Sequence, residues 1–152
     1  MMGEFESVEE ILEFAIAREV AANEFYIDLA KRLESPAMRE LALKFAEEEL
    51  EHKAKLELET MKEGIAVAAG KVAEFKMSDY MADVGFVPDM DYKDLLILAM
   101  KKERKSLRLY IDLAIIVEDA DSRETLLSLA EEEAGHRARF EIEYDEAMLK
   151  GR

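Results

Sequence analysis

The only two histidines in the 152 residues each follow a glutamate by three positions: Glu49 precedes His52, and Glu133 precedes His136. Three residues are about one helical turn, so each pair would present a carboxylate and an imidazole on one helix face. A further glutamate stands thirty positions before each of these, Glu19 before Glu49 and Glu103 before Glu133. All four interrupt apolar stripes. One stripe runs Val8, Leu12, Ala15, Glu19, Ala22, Tyr26, Leu29, Leu33, and a second runs Met38, Ala42, Phe45, Glu49, His52, Leu56. A carboxylate on a buried seam costs several kcal/mol unless it is paired or bound to a cation. Four of them facing one core cannot all stay ionised without cations among them, and two divalent ions carry the charge that cancels four.

Carboxylate oxygen and imidazole suit Fe or Mn, whereas structural Zn prefers thiolates, and the chain has no cysteine. Symmetric two-metal sites hold their ions ~3.5–4 Å apart and can bridge a small oxygen species. The candidate metal ligands are therefore Glu19, Glu49, His52, Glu103, Glu133 and His136. Glu49 and Glu133 can reach between the ions, each His can reach one ion from the end, and Glu19 and Glu103 can close one ion each. Tyr26 and Tyr110 follow Glu19 and Glu103 by seven positions. Two turns of helix put each phenol on the face of its glutamate, about 10 Å along the axis. Each is expected to hydrogen-bond a ligand carboxylate of the opposite helix, and so to serve the site from beside the ligands. Asp28 and Asp112 point off the seam and read as solvated. The remaining glutamates of the runs Glu47 to Glu49 and Glu131 to Glu133 read as a solvated face or a path for cations.

Four helices must position these residues. Ser7 with Glu10 has the spacing of a capping box. Ser35 followed by Pro36 reads as an N-cap with proline in the first turn. The spacing predicts helices over about 7–34, 36–62, 91–118 and 121–149, within a single domain covering 1–152. The third opens at Asp91 with Asp94, and the fourth near Asp121 or Ser122. Residues 63–90 form a crossover in which Val72 to Val84 could make a short helix, ended by Pro88 and the acidic Asp89 to Asp91. Two short-looped pairs joined by one long link make an all-α four-helix bundle.

The two pairs are copies. Shifted by 84 positions, the halves align without a gap, and about 20 of the 52 residues from Val8 to Glu59 are identical. Tyr26 to Ala30 reappears as Tyr110 to Ala114, Ala46 to Glu49 as Ala130 to Glu133, and His52 as His136. A duplicated helical hairpin is the direct reading.

Composition narrows the partners. Twenty-one Lys and Arg against 36 Asp and Glu leave a net charge of −15. Such a surface repels phosphate backbones and anionic lipid heads, so neither nucleic acid nor membrane is expected, and cations are. No apolar run approaches the length of a membrane span. Met1 to Glu10 lacks the basic start of a signal peptide, so a cytoplasmic location is expected. Gln is absent and Asn23 is the sole asparagine, the usage of a hot-growing organism.

The motifs Glu19-x6-Tyr26, Glu49-x-x-His52, Glu103-x6-Tyr110 and Glu133-x-x-His136 resemble the rubrerythrin branch of the ferritin-like di-iron carboxylate superfamily, over about residues 7–149. The resemblance implies a ferritin-like bundle of two duplicated hairpins and two Fe ions, with Mn or a mixed Fe/Mn pair as the alternative. It implies bridging by Glu49 and Glu133, terminal ligation by Glu19 and Glu103, and one His on each ion. It further implies an oxidoreductase of oxidative-stress type that reacts with peroxide or dioxygen, is re-reduced by an external electron donor, and forms a homodimer. The crossover residues Phe75, Tyr80, Phe86 and Val87 are candidates for that dimer contact. Two features depart from the branch. The chain has no cysteine for a four-cysteine rubredoxin domain, and Ser106 stands where rubrerythrins carry an additional glutamate. A ferroxidase or iron-handling protein, and a non-catalytic metal-stabilised interaction module, are the rival readings.

Overall fold

The computed structural model describes residues 5–62, 64–81 and 85–150. Four long helices carry the chain: α1 (Val8–Arg32), α2 (Pro36–Thr60), α3 (Tyr92–Ile116) and α4 (Ala120–Leu149). Each starts where a side chain satisfies an orphan backbone N–H. The Ser7 hydroxyl accepts from the Glu10 amide, and Ser35 accepts from Met38 ahead of Pro36. Asp91 and Asp94 form a complete, reciprocal capping box. At Ser7 the box is only half made, because the Glu10 carboxylate turns to the Glu6 amide at 3.0 Å. The fourth helix begins slightly earlier than the sequence suggests, because Asp119 rather than Asp121 is its cap and accepts from the Ser122 amide.

α1 packs mainly on α2 and α3 mainly on α4, as two antiparallel hairpins. The core falls into two apolar clusters. One gathers Ile11, Leu12, Leu56, Leu113 and Leu126, and the other gathers Leu29, Phe45, Leu96 and Phe140. On every helix the seam glutamate lies between the residues of these clusters: Glu19 between Ala15 and Phe25, Glu49 between Ala46 and Leu56, Glu103 between Ala99 and Leu109, Glu133 between Ala130 and Phe140. A polar layer is thus sealed between two oily ones.

The crossover forms no α-helix among its described residues. Two short 3-10 turns, Val72–Glu74 and Met77–Tyr80, replace the expected helix, and Val84 lies outside the described residues. An isolated helix so short is hard to nucleate. The segment instead extends between the turns so that Phe75 and Tyr80 bury in the first cluster. It is tied to the end of α3 by an antiparallel bridge between Val67 and Val117, with Ala68 N–H donating to the Ile116 carbonyl at 2.9 Å. Phe86 stacks on Phe25 with ring centroids 5.0 Å apart and carries the Arg32 guanidinium on its other contact at 4.1 Å. Phe75, Tyr80 and Phe86 are therefore occupied within their own chain, and of the four crossover residues considered for a dimer contact only Val87 is exposed. Among the described residues no helix is long and apolar enough to cross a membrane.

Candidate metal centre

Burial of the apolar stripes turns all six seam residues inward. Glu19, Glu49, His52, Glu103, Glu133 and His136 are each at most 3% exposed. Ligand atoms of Glu19, Glu49, His52 and Glu133 lie within 4.8 Å of one another, and so do those of Glu49, Glu103, Glu133 and His136. Glu49 and Glu133 belong to both quartets. The His52 and His136 rings run nearly parallel, 6.2 Å apart.

Buried polar atoms in folded proteins nearly always find a partner. Here eight buried ligand atoms do not: one oxygen of Glu19, one of Glu103, both oxygens of Glu49 and of Glu133, and Nδ1 of each histidine. His52 Nδ1 stands 3.4 Å from Glu19, 3.4 Å from Glu49 and 3.2 Å from Glu133, but none of these contacts has hydrogen-bond geometry. The remaining oxygens of the outer pair are used. The Tyr26 phenol donates to Glu103 and the Tyr110 phenol donates to Glu19, each crossing between copies of the repeat. What is left pointing at the centre is a set of carboxyl oxygens and imidazole nitrogens without hydrogen-bond partners, a donor set that fits two hard or borderline divalent cations.

The electrostatics of the bare protein express the same shortage of positive charge. Burial pushes the Glu49 carboxyl well above its usual range, and Glu133, Glu19 and Glu103 push it further. Burial and Glu133 lift Glu103 to about 8. Burial also presses Glu133 upward, but His52 and Glu49 outweigh it and hold that carboxyl low. Burial pulls both histidines down, yet the surrounding carboxylates win, lifting His52 to about 11 and His136 to about 9. Both phenols are raised well above their usual value, first by burial and then by the glutamates they face, so they remain proton donors.

Two carboxylates that the sequence reading assigned to a solvated face touch the site. His52 Nε2 lies 3.0 Å from Glu132, and His136 Nε2 lies 2.9 Å from Glu48. Each pair crosses between the hairpins. A carboxylate on Nε2 fixes the proton there and turns the Nδ1 lone pair toward the centre, the arrangement that orients and strengthens an imidazole ligand. The signal for them was the repeat itself, since Glu48 and Glu132 are equivalent positions, each four residues before a histidine. Phe45 backs the His136 ring at 3.8 Å between centroids. Asp28 is exposed and pairs with Lys31 at 3.8 Å, whereas Asp112 accepts from the Tyr80 phenol at 2.8 Å.

A rubrerythrin family model matches residues 10–144, a span that contains all six seam residues and both tyrosines. No curated protein matches the chain. Among solved structures, a hypothetical protein from Pyrococcus furiosus is similar at 31% identity and a TM-score of 0.71, over 91% of this chain and 89% of that one. A Thermotoga maritima structure, described as a proposed ferritin-like diiron-carboxylate protein, aligns at 20% identity and a TM-score of 0.75, over 95% of this chain and 98% of that one. That second likeness speaks for the fold alone, an all-α ferritin-like bundle. The family match extends over most of the helical core, and the chain belongs to the rubrerythrin family.

Proposed function

We propose that the protein is a di-iron carboxylate oxidoreductase that reacts with peroxide or dioxygen. Family membership and the buried Glu/His cluster imply a two-metal site. The observation that carries the finer reading is the set of eight unsatisfied ligand atoms converging from both copies of the hairpin. In this reading Glu19, Glu49, His52 and Glu133 hold one ion, and Glu103, His136, Glu49 and Glu133 hold the other. When bound, a ferrous pair supplies two electrons for reducing an O–O bond.

The chain's own groups do the rest. Glu49 and Glu133 keep the two quartets together. Tyr26 and Tyr110 hold one oxygen each of Glu103 and Glu19, which fixes the free oxygen toward the centre and keeps a phenolic proton beside it. Glu48 and Glu132 orient the imidazoles. The two apolar clusters exclude water on either side, which strengthens every charge interaction in the layer between them. An external electron donor is part of the proposal.

Anaerobic loading with Fe(II), followed by metal analysis and rapid mixing with peroxide, tests the reading. Two Fe per chain and a growing Fe(III) absorbance are expected, and an unchanged spectrum would refute the redox assignment. Oxidation of many more than two Fe per chain, with mineral formed, would instead make iron the cargo.

A further inference from the structure

Arg18 and Lys102 are equivalent positions of the repeat, each immediately preceding a seam glutamate. The hairpins bring both to the wall of one groove between α1 and α3, a cavity of about 280 Å³. Most cations of this chain that make contacts pair with carboxylates, as Lys53 does with Glu57 and Arg139 with Glu143. These two do not. Arg18 donates to the Tyr80 carbonyl and to the Ser106 hydroxyl at 3.2 Å, and its Nε is buried without an acceptor. Lys102 lies over the Phe25 ring at 5.1 Å. Two like charges thus share one groove with a single lining carboxylate, Glu103, one oxygen of which is taken by Tyr26, so the groove carries more positive than negative charge.

The rest of the groove is oily. Phe14, Ala21, Ala22, Phe25 and Met81 line it, and its floor is Tyr26 and Glu103. Ala22 and its repeat equivalent Ser106 are small, which leaves the space open. The volume equals roughly nine waters at ~30 Å³ each, several times what peroxide or dioxygen requires.

Building on the two-metal reading, we propose that this groove binds a small organic monocarboxylate. The anionic head sits between Arg18 and Lys102, and the apolar body lies along the phenylalanine and alanine wall beside Tyr26 and Glu103. An organic acid thereby lies beside the centre as a ligand of the groove.

Calorimetric titration of the metal-loaded protein with hexanoate, hexanol and hexylammonium tests this. Hexanoate should bind one per chain, at least about tenfold more tightly than hexanol, and hexylammonium should not bind. Lys102→Met should cut the preference for hexanoate over hexanol to what Arg18 alone supplies, and Ala22→Phe should abolish both by filling the groove. Equal binding of acid and alcohol, or hexanoate binding unchanged in Lys102→Met, overturns the proposal; the latter would place the carboxylate directly on metal. Metal content is measured on the same samples. Retained hexanoate selectivity without metal would sink the two-metal reading and leave the groove standing, whereas two metals per chain without selectivity would do the reverse.

Discussion

Replacing Glu49 by leucine should change the sign of its effect on stability when metal is added or removed. Glu49 is fully buried, and neither carboxylate oxygen has a hydrogen-bond partner. In the bare protein four carboxylates crowd two histidines, and burial together with Glu133, Glu19 and Glu103 holds the Glu49 carboxyl well above its usual range, so it sits there as a buried group without a partner. A buried polar group left without a partner costs ~1–3 kcal/mol, which an apolar side chain of similar size does not carry. Taking ~2 kcal/mol, and ~2–4 °C per kcal/mol for a chain of this length, Glu49→Leu should raise the melting temperature in chelator by roughly 4–8 °C. With divalent metal present the ordering reverses. Glu49 belongs to both quartets, and a ligand held at a hundred times its dissociation constant stabilises the wild type by ~2.7 kcal/mol, most of which the variant forfeits. Circular-dichroism melts with chelator and with Fe(II) or Mn(II) under anaerobic conditions read both arms. Equal destabilisation in both arms would refute the reasoning, because it would make Glu49 a structural ion-pair partner of the histidines rather than a ligand awaiting a cation.

The melting gap between metal-loaded and chelated protein should widen from pH 5 to 8. In the bare protein Glu103 is raised to about 8 and Glu49 well above its usual value, so their stability is complete below the ordinary carboxyl range and is lost as pH rises. His52 and His136, raised to about 11 and about 9, act in the same sense, and Glu133 and Glu132, held low, oppose them. Bound metal replaces the protons, so the loaded form gains with pH; a gap that narrows would contradict this. Tyr26→Phe should destabilise the fold by ~1–3 kcal/mol in denaturant titrations, by leaving a buried Glu103 oxygen without its donor, and a variant as stable as wild type would argue against that bond. Glu48→Ala and Glu132→Ala should each weaken metal binding ~10–100-fold in competition titrations, and unchanged affinity would show that the imidazoles need no orienting carboxylate.

The fold class was legible because the seam repeats. Steps of three and four carried the apolar stripes through long helices with recognisable caps, and the exact register of the two copies announced a paired hairpin. The convergence of the six polar seam residues followed from the same periodicity, since a glutamate on an apolar stripe has nowhere to point but inward. What periodicity could not disclose was anything decided across the bundle. Glu48 and Glu132 lie off the seam on their own helices, and only the crossing of one hairpin over the other brings each to the opposite histidine. The crossover was opaque for a related reason. Phe75 and Tyr80 are buried by distant residues of α1 and α3 rather than by a local helical face, so extended chain and short turns won over an amphipathic helix. Nothing in one dimension sets Arg18 and Lys102 apart; their meeting in one groove is a product of the pseudo-twofold relation between the hairpins.

That relation has a consequence for how such a molecule could arise. Each quartet takes three side chains from one hairpin and one from the other, and neither is complete within a single copy: Glu133 must join Glu19, Glu49 and His52, and Glu49 must join Glu103, Glu133 and His136. A lone hairpin of this sequence type would own half of two incomplete nests. Two identical hairpins related by a rotation axis would complete both at once, with each phenol and each outer carboxylate crossing the axis as they do here. Fusing such a pair end to end costs little more than a connecting strap, and it frees the halves to differ, as Arg18 and Lys102, or Ala22 and Ser106, now do.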